Sequence, residues 1–294
     1  MHSYLRAIGF SKIKNNNDQN QLITSAICNS THRQEIKTGA DTTLAQINYE
    51  ITDQIGITII GEYSSDDILN IDHIFPYCIG THTTEQPEIQ IEAHSDKEYY
   101  SGISDDYNLG ITLIYAVQNI VDYVKSNWSN TYYRVPNQVK FAGLSLNGRI
   151  LYGVHLDYDA FPHEKHPISN NERRELIAKA RSGDADAMEN LTLDDMDTYS
   201  LISKRIKDED LYTIVETYFM PYGINNEEYS VLGIIKKSTQ IVNEISGEML
   251  YNLTVDCNDI LIDIVINALD LQGEPKVGRR FKGVIWLQGQ IEFL

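Results

Sequence analysis

Lysine and arginine are scarce in this chain, 24 against 42 aspartates and glutamates in 294 residues, which gives a formal net charge of −18 at pH 7. A surface of that sign repels phosphate backbones at long range and disfavours nucleic acid as a partner. Cysteine is scarcer still: Cys28, Cys78 and Cys257 are the whole set, and none forms a CxxC pair. An odd, scattered set supplies no disulfide frame and reads as the reduced thiols of a cytoplasmic protein. No apolar run approaches the ~18 residues of a membrane-spanning helix. The opening MHSYLRAIGFSKIKNNND interrupts its apolar residues with Arg6, Lys12 and Lys14, so it lacks a signal-peptide core. No membrane association is expected. A Walker loop and a GxGxxG motif are both missing, which removes phosphate cradling of either familiar type. Gly143-Leu144-Ser145-Leu146-Asn147 fails the nucleophile-elbow pattern at its last position, and its serine precedes a turn where the elbow needs a helix.

What is present is an ordinary globular composition, 42% hydrophobic, with 19 tyrosines against 7 phenylalanines. That content excludes disorder over the whole chain. The length fits two units at roughly 150 residues each.

Along the chain, a short helix is expected around Ser3 to Ile8, then a polar turn region at Asn15-Asn16-Asn17-Asp18. LAQINYEIT and IGITIIGEY, separated by Thr52-Asp53-Gln54, read as two paired strands, and PEIQIEAH alternates as a third. From Asn108 to Trp128 the apolar residues Ile114, Val117, Val121, Val124 and Trp128 step by three and four, the spacing of a helix stripe. Two β-rich runs flank Asn147-Gly148, which reads as a type I′ hairpin turn. After Pro162 and Pro167 the composition turns polar and helical. Ser169 with Glu172 fits a capping box opening NERRELIAKARSG, Gly183 stops that helix, and DADAMENL starts another. A third helix is expected over Asp194 to Lys207. AKARSGDADAMENL is similar to one unit of a Sel1-type helical repeat, but a second copy is missing, so no repeat array is expected.

From Leu211 the chain is β-rich, with about five strands ending in FKGVIWLQGQIEF, and a small antiparallel barrel would hide their edges. In the last strand Phe281, Ile285, Leu287 and Ile291 are expected to face inward. Arg280, Lys282, Trp286 and Gln288 are expected to face outward, with Arg279 at the strand's mouth.

The segments FMPYG (219–223), YSVLGII (229–235), TVDCNDI (254–260) and GEPKVGRRFKGVIWLQGQ (273–290) resemble a bacterial family, found mainly in clostridial Firmicutes, that is known only as a domain of unknown function. The resemblance runs from SYLRAIGFS to the last strand. It implies a bacterial, cytosolic protein, and it implies no activity and no site residues.

Three constellations carry possible chemistry. His155, Asp157 and Asp159 share a strand face, and with His163 and His166 they offer imidazole and carboxylate to a divalent cation. The same pattern is that of a half-exposed strand leading into a Pro-rich loop. His73, Cys78, His82 and His94 contain zinc-ligand types but match no standard zinc spacing. Arg279, Arg280, Lys282 and Trp286 form a candidate ligand or partner surface. With Tyr229 and Tyr251 they could stack bases as an OB-fold does, although the global charge opposes it. Between Asp53 and Asp106 stand twelve Asp/Glu and one lysine, Lys97, an acidic stretch able to hold a basic partner or merely to keep the surface solvated.

The sequence thus reads as an α+β protein: a mixed sheet-and-helix part over 1–167, a helical connector over 168–210, and a β-barrel-like part over 211–294. With no convergent catalytic set and no cofactor implied, the expected role is non-catalytic interaction with a protein partner. The alternative is an enzyme or small-ligand binder with its site in a cleft between the two parts.

Overall fold

A computed structural model describes residues 2–13, 15–64, 66–85, 89–93, 100–106, 109–128, 136–153, 170–193, 196, 211–224 and 227–293. It is a mixed α+β structure dominated by strands. Four of them, β1 (His32–Lys37), β2 (Thr43–Thr52), β3 (Ile55–Tyr63) and β4 (Leu69–Cys78), form an antiparallel meander in that order. The β2–β3 hairpin is the one the alternation predicts, and its turn places Gln54 at φ 63°. Strand β4 is an end strand of this sheet.

The remaining strands belong to one larger sheet. They are β5 (Thr83–Glu85), β6 (Ile89–Ala93), β7 (Tyr100–Asp106), β8 (Ile111–Val117), β9 (Pro136–Leu151), β10 (Tyr218–Pro221), β11 (Glu228–Val242), β12 (Met249–Cys257), β13 (Ile260–Asn267), β14 (Leu271–Gln272) and β15 (Arg280–Phe293). Within it, β11 pairs with β12, β12 with β13, β13 with β9, β9 with β15, and β15 with β11. The hydrogen bonding of these five strands closes into a circuit. One member, β9, lies before Pro167, so the sheet joins residues on both sides of that position. The residues 211–214 that continue the β-rich pattern at its start form a short helix, α5 (Leu211–Ile214), instead of a strand.

Several local expectations are corrected. Asn147-Gly148 is no turn: β9 runs through it, and neither residue has positive φ. The strand is instead bulged there, with Ser145 opposite Ile285 and Asn147 opposite Val284. Gly148 serves close packing, since a Cβ on it would stand 2.6 Å from Phe281 Cε2. The left-handed two-residue turn occurs at Asn258 (φ 54°) and Asp259 (φ 66°), between β12 and β13. The helix stripe from Asn108 is half strand: Ile111–Val117 is β8, and only α2 (Ile120–Trp128) is helical. Asn15 to Asp18 opens a helix, α1 (Asn16–Cys28), because the Asn15 side chain caps it by accepting from Asp18 N at 2.8 Å. The polar helices are present as α3 (Asn170–Arg181) and α4 (185–193), with Gly183 at φ 91° between them. Ser169 and most of the third expected helix lie outside the described residues.

The strand β15 is buried on both faces. Phe281, Ile285, Leu287 and Ile291 are buried as expected. Arg280, Trp286 and Gln288, expected outward, are buried too, Gln288 completely. The physical reason is that β4 and the N-terminal segment cover the second face. Gln288 Nε2 donates to Pro76 O at 2.8 Å, and its Oε1 accepts from Cys78 N at 3.2 Å and from Gln118 Nε2 at 3.0 Å. Gln46 on β2 extends this polar seam by donating to Gln118 O at 2.9 Å. The two sheets are thus joined by amide side chains inside an apolar interior, where each buried polar group needs a partner.

Candidate functional site

The N-terminal segment is stitched to the end of the larger sheet. A 3₁₀ turn over Ser3–Arg6 buries Tyr4 and Leu5. Arg6 forms a two-pronged pair with Asp270 at 2.6 and 2.7 Å, the fork geometry that suits guanidinium and carboxylate. Asn243 Nδ2 donates to Ile8 O at 2.7 Å, Ser11 Oγ to Glu248 Oε1 at 2.6 Å, and Tyr4 Oη to Glu228 Oε1 at 3.0 Å. Burial, with Glu228 beside it, pushes the Tyr4 phenol pKa well up.

These ties hold His2 over β15. Its ring lies 4.4 Å from Trp286 and 6.0 Å from His73, while Tyr4 stacks on Trp286 at 5.5 Å. A cavity of about 440 Å³ opens here, half enclosed. Its apolar wall comes from Leu5, from Leu22 and Ile23 on α1, from Ile57 on β3, and from Ile71 and Ile74 on β4. Among the described residues its polar groups are His2, Gln19, Asp72 and His73. The His2 Nδ1 atom is buried and has no hydrogen-bond partner. Burial, and secondarily the neighbouring His73, lowers the His2 pKa from 6.5 to about 4. The ring is therefore neutral at pH 7, so either nitrogen can donate or accept.

A second cavity of about 500 Å³ lies against β11, β12 and β13, bordered by His82, Lys236, Lys237, Thr254, Asp256 and Asp259. Several of its groups are already engaged. Lys236 pairs with Asp256 at 3.0 Å, and the buried Asp263 beneath accepts from Thr81 N (2.7 Å), Thr81 Oγ1 (2.5 Å) and Thr254 Oγ1 (2.6 Å).

The candidate surface of Arg279, Arg280, Lys282 and Trp286 does not assemble. Arg280 is buried and donates to the carbonyls of Tyr212 (2.6 Å), Val215 (2.7 Å) and Tyr152 (2.9 Å). It thereby satisfies the C-terminal carbonyls of α5 and favours their negative dipole end. Lys282 binds Tyr212 Oη and sits 4.1 Å from that ring's centre. Arg279 leans on Glu274, through its carbonyl at 2.8 Å and its carboxylate at 3.7 Å, and over the Tyr152 ring. Trp286 is covered by His2 and Tyr4. Tyr229 is buried, with its hydroxyl accepting from Ile114 N at 2.8 Å, so it is no base-stacking platform. Replacing Arg280 with Met is expected to cost about 1–2 kcal/mol, because three carbonyls lose their donor while the cost of burying a charge is relieved. Lys282→Gln should stay within about 1 kcal/mol. Urea denaturation of both variants reads the difference, and equal costs would refute the clamp.

Of the zinc-type set, His94 lies outside the described residues, as do His155, Asp157, Asp159, His163 and His166. Cys78 is wholly buried, and burial pushes its thiol pKa up, the opposite of what a metal-binding thiolate needs. Among the described residues no group of three His, Cys, Asp or Glu is placed to hold a metal. None of their helices is long and apolar enough to cross a membrane. The His2–His73 cavity was not legible in sequence: His73 was singled out only as a zinc-type residue, and His2 lies 71 positions away across the fold. The only local signal was a histidine beside the apolar Tyr4-Leu5 pair.

Searches of curated proteins and of solved structures found no match to this chain. A family model does match, over residues 5–289, the near whole-chain extent that the resemblance implied, and the chain belongs to that family, described as Domain of unknown function, E. rectale Gene description (DUF3881).

Proposed function

We propose that the protein binds a small amphipathic molecule in the His2–His73 cavity, at the junction of the two sheets. The observation that carries this reading is the partnerless His2 Nδ1 in the wall of a cavity of about 440 Å³ where aliphatic and polar side chains meet. That volume falls in the range of ligand pockets. A buried polar atom without a partner costs roughly 1–3 kcal/mol, which a ligand's hydrogen-bonding group would recover. The reading is of a binding protein, and no catalytic step is assigned. Interaction with a protein partner through the acidic surface is compatible with it, the ligand then biasing that contact.

The closed circuit of β9, β11, β12, β13 and β15 is read here as a small barrel that serves as the rigid base under His2 and Trp286. A cytoplasmic setting belongs to the same reading, supported by three free cysteines, two of them buried.

The test uses protein carrying labelled isoleucine and leucine methyl groups, titrated with a library of small fragments and followed by NMR. Fragments that shift Ile57, Ile71, Ile74 and Leu22 together are expected. Gln19→Trp, which fills the mouth from a half-exposed helix position, should abolish those shifts while leaving the rest of the spectrum in place. A library that moves none of these methyls, or moves them equally in Gln19→Trp, would overturn the reading.

A further inference from the structure

We propose that the second cavity, against β11, β12 and β13, binds a hydroxyl-bearing ligand through His82 Nε2, which is held as a hydrogen-bond acceptor by a relay ending in the buried Asp263. The described residues bordering the two cavities are different, so this site does not depend on the His2 reading.

The relay fixes where the imidazole proton sits. Asp263 is 2% exposed, and its carboxylate accepts at both oxygens: Oδ1 from Thr254 Oγ1 at 2.6 Å, Oδ2 from Thr81 N at 2.7 Å and from Thr81 Oγ1 at 2.5 Å. The Thr81 hydroxyl has a single proton, and the charge-assisted bond to the carboxylate takes it. That hydroxyl can then only accept from His82 Nδ1, 3.0 Å away. Asp263 itself stands 3.9 Å from Nδ1, beyond a direct hydrogen bond. In the neutral ring the proton is therefore on Nδ1 and the lone pair on Nε2.

His82 borders the cavity of about 500 Å³ with its side chain 42% exposed, and no described residue bonds its Nε2. An acceptor presented this way pairs with an O–H donor and leaves an ether of the same shape without that bond. Leu261 gives the same cavity an apolar surface. Because water also reaches Nε2, the ligand's hydrogen bond replaces one to solvent, and a preference of about three- to tenfold is the expected scale.

The experiment follows imidazole nitrogen and Leu261 methyl resonances by NMR at about pH 8, chosen to keep imidazoles neutral. Without ligand, His82 is expected to show a protonated Nδ1 and an unprotonated Nε2, and the reverse tautomer would overturn the proposal. Phenol is then compared with anisole, which has the same ring but no hydroxyl proton. Phenol is expected to move Leu261 with about three- to tenfold higher affinity than anisole. In His82→Leu, a change at a partly exposed position that the fold should tolerate, phenol should fall to the level of anisole. In Thr81→Val, which removes the hydroxyl and keeps the backbone bond to Asp263, the Nδ1–H population and the preference should both shrink. Equal binding of the two probes to the unaltered protein, or a preference that survives undiminished in either variant, would overturn the proposal. So would probes that leave Leu261 unmoved. If they shift only Ile57, Ile71 and Ile74, phenol has entered the His2 cavity, and this proposal fails while that reading stands.

Discussion

Replacing Gln288 with Leu is expected to destabilise the protein by about 3–5 kcal/mol, as much as truncating the neighbouring core residue Leu287 to Ala. The side chain is completely buried and bonds to Pro76 O, Cys78 N and Gln118 Nε2. Leucine has nearly the same volume, so the cavity term is small. The cost comes from Cys78 N–H and Pro76 C=O, which would be left in an apolar interior without partners, at roughly 1–3 kcal/mol each. Gln118 retains its bond to Cys78 O at 2.7 Å, so the seam would be damaged and not erased. Urea denaturation monitored by tryptophan fluorescence gives the value directly, since Trp286 lies two residues away. A cost below about 1 kcal/mol would show that water replaces the amide and that β4 is not firmly seated on β15.

The second large effect is on pH dependence. His2 has a folded-state pKa of about 4 against an ordinary value of 6.5. On acidification the unfolded chain takes up its proton first, near pH 6.5, while the folded form resists until about pH 4. Between those values the unfolded state binds more protons, so stability falls as pH falls. A shift of this size corresponds to up to about 3 kcal/mol lost across that window, and less if the N-terminal segment opens locally before the whole fold does. In His2→Phe, which keeps a ring on Trp286, that part of the acid sensitivity should vanish, leaving the contribution of the carboxylates. Imidazole resonances followed by NMR test the premise: a His2 midpoint near 6.5 would refute it. Ligand occupancy should follow the same ring. A molecule bonded to neutral His2 Nδ1 opposes protonation, so its presence should move the midpoint lower still.

Much of the architecture was legible where the signal and its cause are close in sequence. The β2–β3 hairpin could be read because its alternation and its turn residues lie within one short segment. Signals failed where the cause is remote. Asn147-Gly148 has the composition of a turn, but the partner that keeps it extended is Val284, far along the chain. Ile111–Val117 is apolar at nearly every position because β8 is covered by other elements, and a continuous apolar run satisfies helix spacing as easily as strand spacing. Arg280 was read as outward from a two-residue alternation that assumes one wet face. Its real partners, carbonyls at Tyr152, Tyr212 and Val215, are visible only once the fold brings them together. The candidate cavity fails for the same reason, being assembled from a terminal turn, a helix and two strands.

The place of β9 in the circuit of strands bears on the order of events as the chain leaves the ribosome. Ser145 on β9 bonds to Val284 on β15, 139 residues later. At roughly 5–20 residues per second of synthesis, β9 waits on the order of ten seconds for that neighbour. Throughout the wait its hydrogen-bonding edge is open to any other extended segment, including that of a second nascent copy. Loop closure across so many residues also makes the finished topology slow to form. Yield in a heterologous host should therefore depend on temperature and on chaperones that shield a strand edge, more than on the equilibrium stability of the finished fold.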